Sequence, residues 1–143
     1  MSPDQKLLVQ ESWKKVVPIA TTAAHLFYDR LFELDPSAQA LFKTTDLVEQ
    51  RRKLIQALAA VVQGIDRLEE LIPTLADLGR RHGLYGVEDR HYDTVGSALL
   101  WTLEQGLGSA WTPGLKAAWS SAYALVADVM RNAAHELAPA GPR

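Results

Sequence analysis

The chain has 143 residues, 48% of them hydrophobic and 22% charged, and carries a net charge of −2 from 15 basic and 17 acidic side chains. That balance excludes a disordered tail and a dedicated nucleic-acid binder, and no apolar run approaches the roughly 20 residues that a membrane-spanning helix needs. The absence of cysteine excludes a disulfide framework, an iron–sulfur site and a thiolate nucleophile.

Met1-Ser2-Pro3-Asp4-Gln5-Lys6 lacks the basic-then-apolar order of a secretory signal, which predicts a cytoplasmic protein. The length predicts one domain over 1–143 with a frayed tail over 137–143. Ser2, followed by Pro3 and then by Gln5 three residues on, opens a first helix over 3–17 with a capping box. Pro18 marks a break before a helix over 19–34, whose stripe is Phe27, Tyr28, Leu31 and Phe32. Asp35-Pro36 starts a short helix over 36–42, and an irregular stretch follows at 43–46. The helix over 47–64 follows the stripe Leu47, Leu54, Leu58 and Val61, which runs on to Ile65. Pro73 falls near the start of a helix over 72–83 with the stripe Leu71, Leu75 and Leu78. A second irregular stretch near 83–88 precedes a helix over 88–107 with Tyr92, Val95, Leu99 and Leu103. Thr112-Pro113 opens the last helix, over 113–136, striped by Leu115, Ala118, Ala122, Leu125, Val129 and Met130. These steps of three and four are helical, and no alternating strand pattern competes with them. The fold class is all-α. Helices of such uneven length do not suit a four-helix bundle; they predict steep crossings that leave room for a pocket.

Three polar residues interrupt the apolar stripes. His82 extends Leu71, Leu75 and Leu78 by one further turn. It is either a core histidine satisfied by a backbone carbonyl or a ligand to a metal or cofactor. Gln50 lies between Leu47 and Leu54, and Tyr28 between Phe27 and Leu31. Each has an ordinary reading, Gln50 as solvent-satisfied in a first helical turn and Tyr28 as a core ring with its hydroxyl at the rim. Their joint occurrence on three helices of one small domain is more informative than any one of them, because a cofactor pocket needs a few convergent polar groups. No HExxH, CxxC or GxSxG occurs, and His25, His91 and His135 have no metal-ligand spacing to one another. Gly79, Gly83 and Gly86 read as loosened helix-end spacing rather than as a phosphate loop. Arg51-Arg52-Lys53 and Arg80-Arg81 are either solvated faces or cations facing a bound anion.

Over essentially its whole length the sequence resembles the globin family. Leu78-Gly79-Arg80-Arg81-His82, Gly86-Val87 and Val95-Gly96-Ser97-Ala98-Leu99-Leu100 are similar to the proximal half of neuroglobin, as are Leu107-Gly108-Ser109-Ala110-Trp111-Thr112-Pro113, Ala118-Trp119 and Tyr123. Glu11-Ser12-Trp13, Leu31-Phe32, Pro36 and Leu41-Phe42 match the N-terminal half of globins. The distal residues resemble bacterial single-domain globins and the haem domain of flavohaemoglobins.

The resemblance implies a 3-on-3 helical sandwich enclosing haem b. It implies His82 as the proximal iron ligand, with its other nitrogen donating to a carbonyl near Leu78. On the distal side it implies Tyr28, Gln50 and Leu54 around the ligand, and Phe42 against the porphyrin. Val87 and Tyr92 then belong to the proximal side, and Lys53 and Arg81 are candidates for the haem propionates. The implied function is reversible oxygen binding for transport, storage or scavenging. Its rivals are nitric oxide dioxygenation, or peroxide or nitrite chemistry, with an external reductase, and a gas or redox sensor module. Dioxygen, nitric oxide and carbon monoxide are the implied ligands, with no nucleic-acid or membrane partner and a monomer or weak homodimer as the state. Three departures qualify the resemblance. Gln50 stands where neuroglobin has a histidine, so bis-histidyl iron is not expected. The glutamate of flavohaemoglobins beside the proximal histidine falls at Ala134, with Glu136 two positions away. The flavin and nicotinamide domains of that family have no counterpart in these 143 residues.

Overall fold

A computed structural model describes residues 1–137. Six α-helices follow one another: α1 (Pro3–Val16), α2 (Ala20–Leu34), α3 (Leu47–Gln63), α4 (Leu68–Leu84), α5 (Asp89–Leu107) and α6 (Pro113–Leu137). No strand occurs among the described residues. The expected tail lies outside them, apart from Leu137, which closes α6.

Local chemistry sets most boundaries. Ser2 and Gln5 make the capping box of α1, and Val17–Ile19 form a 3₁₀ turn around Pro18 that divides α1 from α2. The segment Pro36–Phe42 is 3₁₀ rather than α-helical, and Asp35 caps it through the Ser37 N–H. Asp46 caps α3 through the N–H groups of Val48 and Glu49. α4 departs from expectation, because it begins at Leu68 and holds Pro73 inside it, more than a turn from its start. Pro73 has no N–H for the Glu69 carbonyl, a loss that the exposed side of the helix tolerates because water can serve that carbonyl. The stripe of α6 also differs: Leu125 is exposed, and the buried positions are Leu115, Ala118, Trp119, Ala122, Ala127, Met130 and Ala133.

The principal packing is α4 on α6, α2 on α5 and α1 on α6, with α3 resting on α2 and α1. α3 and α4 are not among the pairs that pack substantially. Their apolar stripes show the same thing: Leu47, Leu54, Leu58 and Val61 on α3, and Leu71 and Leu78 on α4, are only half-buried. The buried side chains accordingly form two clusters. The larger joins α1, α2, α3, α5 and α6, and includes Phe27, Tyr28 and Leu31. The smaller gathers Tyr92, Ala127 and Met130, with Leu78 and Val87 at its edge.

One buried polar contact ties the ends of the chain. The Trp119 indole N–H donates to Ser12 Oγ at 2.9 Å, and that hydroxyl donates to the Leu8 carbonyl at 2.7 Å. Ser12→Ala orphans the indole donor and is expected to cost about 1–3 kcal/mol. Urea denaturation checks this, and an unchanged midpoint and slope would show that the contact contributes nothing.

Candidate functional site

The candidate residues fall into two groups on opposite sides of the α3–α4 gap in the packing. On the first side the structure brings Tyr28, Gln50, Phe42 and Leu54 together. Tyr28 is 5% exposed, and its ring is held edge-on by Phe27 at 4.9 Å and by Phe42 at 5.6 Å between centroids. Phe32 closes the same cage at 5.7 Å from Phe42. The Gln50 side-chain amide donates to the Tyr28 hydroxyl at 3.1 Å. That hydroxyl oxygen is thereby engaged as an acceptor, which leaves its own proton available to a third group. Burial raises the Tyr28 pKa, against smaller lowering effects from Gln50 and Arg51, so the phenol keeps its proton at neutral pH.

Phe42 reaches this cage from the 3₁₀ segment, which is tied to α5. Arg90 pairs with Asp35 at 2.8 Å, and the buried His91 lies 3.7 Å from the same carboxylate. The Ser37 hydroxyl first, then Arg90 and His91, hold the Asp35 carboxyl below the usual carboxylate range. Sequence reasoning missed this clamp, because Asp35 and Arg90 lie 55 positions apart and share no local pattern. It also missed a small apolar cavity of about 10 Å³ between Trp13, Phe27, Leu54, Leu58, Leu99 and Leu103.

On the second side stands His82. Its Nδ1 lies 2.8 Å from the Leu78 carbonyl, one turn earlier. A carbonyl only accepts, so Nδ1 carries the proton and Nε2 keeps its lone pair. Burial, with a smaller push from Arg81, lowers the His82 pKa against the opposing effect of the carbonyl, and the ring is neutral at pH 7. The backbone here is equally constrained. The Val87 N–H donates to the His82 carbonyl and the Gly86 N–H to the Gly83 carbonyl, both at 3.1 Å. This is a Schellman end, and its turn requires the positive φ of Gly86, +92°. Gly86 is thus a helix-end glycine, whereas Gly79 and Gly83 lie within α4 and serve a contact with α6.

Tyr92 borders the same side at 6% exposure, and its buried hydroxyl has no hydrogen-bond partner. The Tyr123 hydroxyl donates instead to the Tyr92 backbone carbonyl at 2.6 Å. Tyr92→Phe is therefore expected to leave the ligand-free protein as stable or to stabilise it by about 1 kcal/mol, since an unpaired buried hydroxyl is lost. A thermal melt decides this, and a clear loss of stability would reveal a partner for the hydroxyl. Of the two candidate cations, Lys53 is exposed, and Arg81 pairs loosely with Asp77 at 3.5 Å on an exposed surface.

Among the described residues no group of three His, Cys, Asp or Glu side chains gathers to hold a metal ion. His82 is a single neutral nitrogen donor beside half-buried apolar surface. A metal held there takes its remaining ligands from something other than protein, which suits a planar macrocycle and not a bare ion.

The family model described as Globin matches residues 25–130. The chain belongs to the globin family. This globin is 35% identical over 121 residues to a flavohemoprotein of Bacillus subtilis (strain 168), covering 80% of this chain but only 30% of that protein's length. It is 30% identical to neuroglobin of Danio rerio, covering 91% of this chain and 90% of the other. In three dimensions it is similar to a hexacoordinated heme protein from an anhydrobiotic tardigrade, with a TM-score of 0.83 and 19% identity over 94% of this chain and 96% of that one. These findings and the strand-free helical architecture establish an all-α globin fold. No helix among the described residues is long and apolar enough to cross a membrane.

Proposed function

We propose that residues 1–143 act as one globin domain that holds haem b through His82 and binds dioxygen reversibly, as a cytoplasmic carrier, store or scavenger. The observation that carries this reading is the state of His82: Nδ1 is spent on the Leu78 carbonyl, Nε2 is left as a lone-pair donor, and among the described residues no group of three metal-ligating side chains gathers. The half-buried apolar surfaces of Phe42, Leu54, Leu78 and Val87 suit the faces of a porphyrin. The haem and globin names of the relatives support the same assignment.

When bound, haem would supply the iron centre at which a diatomic gas binds. The protein's part on the distal side is hydrogen bonding. Tyr28 offers its O–H proton, and the Gln50 amide both orients and polarises that hydroxyl. Dioxygen draws negative charge as a ligand and carbon monoxide draws less, so the donor favours oxygen over carbon monoxide. Phe42 and Leu54 exclude water from this side, which slows oxidation of the iron. Lys53, about one turn after Gln50, and Arg81, beside His82, are assigned to the propionates; Leu78, Val87 and Tyr92 form the proximal wall.

The test is repeated deoxygenation and reoxygenation of the reduced protein, followed by absorbance. Full recovery over several cycles is expected, whereas irreversible oxidation in the first cycle would overturn the carrier reading. The similarity to a flavohemoprotein favours a second reading, nitric oxide dioxygenation with electrons from a separate reductase. Sustained nitric oxide consumption in the presence of a generic reductase would favour that reading over storage.

A further inference from the structure

α4 packs chiefly on α6, and the approach is closest near its C-terminal end. Its start has no side-chain cap, Pro73 interrupts it, and Ile72 points out at 46% exposure. Near His82, by contrast, α4 meets α6 backbone against backbone. A Cβ at Gly79 would lie 2.3 Å from the Met130 carbonyl oxygen and 2.5 Å from the Met130 Cα. One turn on, a Cβ at Gly83 would lie 3.2 Å from the Ala134 Cβ. At 100° per residue these two glycines sit about 60° and 100° around the helix from His82, both on the same flank of it.

We infer that this seam sets the position of His82, and that Gly79 and Gly83 are positioning residues for the proximal ligand. The inference rests on the haem reading above. The imidazole is bonded to the Leu78 carbonyl of its own helix, so the ring travels with α4 and its place reports where α4 lies. The atoms that a methyl at position 79 would strike are backbone, which cannot rotate away, so the whole helix must move. The atom facing position 83 is a methyl on α6, so the clash there is milder and can be removed from the other side. Alanine is a better helix former than glycine, so any loss in these variants comes from the seam and not from helix propensity.

The test uses the haem-loaded protein and four variants: Gly79→Ala, Gly83→Ala, Ala134→Gly and the Gly83→Ala/Ala134→Gly pair. The readouts are the ferrous iron–histidine stretching band and the rate at which haem passes to an acceptor protein. Gly79→Ala is expected to shift the band and speed haem loss about 10-fold or more, the scale on which outer-shell support acts at metal sites. Gly83→Ala should shift the band less, and the double variant should return it to the wild-type position, a coupling that independent sites do not show. Variants whose melting temperature falls while the band stays in place would overturn the inference, because the glycines would then serve only the fold. Should Gly79→Ala fail to fold, the cycle at positions 83 and 134 decides alone, and an unmoved band or an unrestored one counts against the seam. A wild type that takes up no haemin overturns this inference and the functional reading together. A wild type with a proximal-histidine band and unmoved variants overturns the seam alone.

Discussion

His82→Ala is expected to abolish stable haem binding while leaving the protein folded. On the proposed reading His82 is the protein's ligand to the iron, so affinity should fall by more than the ~10–100-fold that removal of an outer-shell partner costs a metal site. The fold should be nearly indifferent. The Leu78 carbonyl still accepts from the backbone N–H of residue 82, and the vacated position is only half-buried. Ligand-free stability should therefore change by about 1 kcal/mol or less. Free imidazole added to the variant should restore haem uptake, because it replaces the missing lone pair without repairing the chain. Full haem retention with an unchanged spectrum would remove His82 from the site.

Tyr28→Phe is expected to raise the dioxygen dissociation rate by about 10- to 150-fold, the equivalent of a roughly 1.5–3 kcal/mol hydrogen bond to a charged acceptor. The substitution keeps the ring in its cage between Phe27 and Phe42, so packing is not the variable. Carbon monoxide release should change far less. Gln50→Leu should raise the oxygen rate by a smaller factor, because its amide acts through the Tyr28 hydroxyl. In the Tyr28→Phe background that second effect should vanish, and additive effects would mean that Gln50 meets the ligand independently. Burial moves the Tyr28 pKa above its ordinary value of about 10, so the donor proton persists and the wild-type rate should be flat up to about pH 9. Flash photolysis or stopped-flow mixing measures all of these rates, and an unchanged rate in Tyr28→Phe would exclude that hydroxyl from ligand stabilisation.

The polar residues of the candidate site stand out in the sequence because they break a pattern. His82 prolongs the stripe of Leu71, Leu75 and Leu78, and Tyr28 and Gln50 sit among apolar neighbours; such intrusions cost free energy unless something satisfies them. Helix starts marked by Ser2, Asp35 and Thr112 were legible for the same local reason, a side chain that answers free N–H groups, whereas the Asp46 cap of α3 was not read from the sequence. What was hidden is non-local. Pro73 suggested a helix start, but the helix continues back to Leu68 because tertiary packing outweighs one missing N–H. Gly79 and Gly83 looked like helix-end residues, since their reason, α6 at Met130 and Ala134, lies about fifty positions away. Leu125 continued the period of α6 and is nevertheless exposed, because no partner helix covers that flank.

Titration of the purified protein with haemin, followed by reduction under an inert atmosphere and recording of the absorption spectrum, tests the central assignment most directly. The assignment predicts saturation at one haem per chain and a ferrous spectrum with a single histidine on the iron, converted reversibly by dioxygen. Failure to take up haemin, or a spectrum of iron held by two imidazoles, would contradict it.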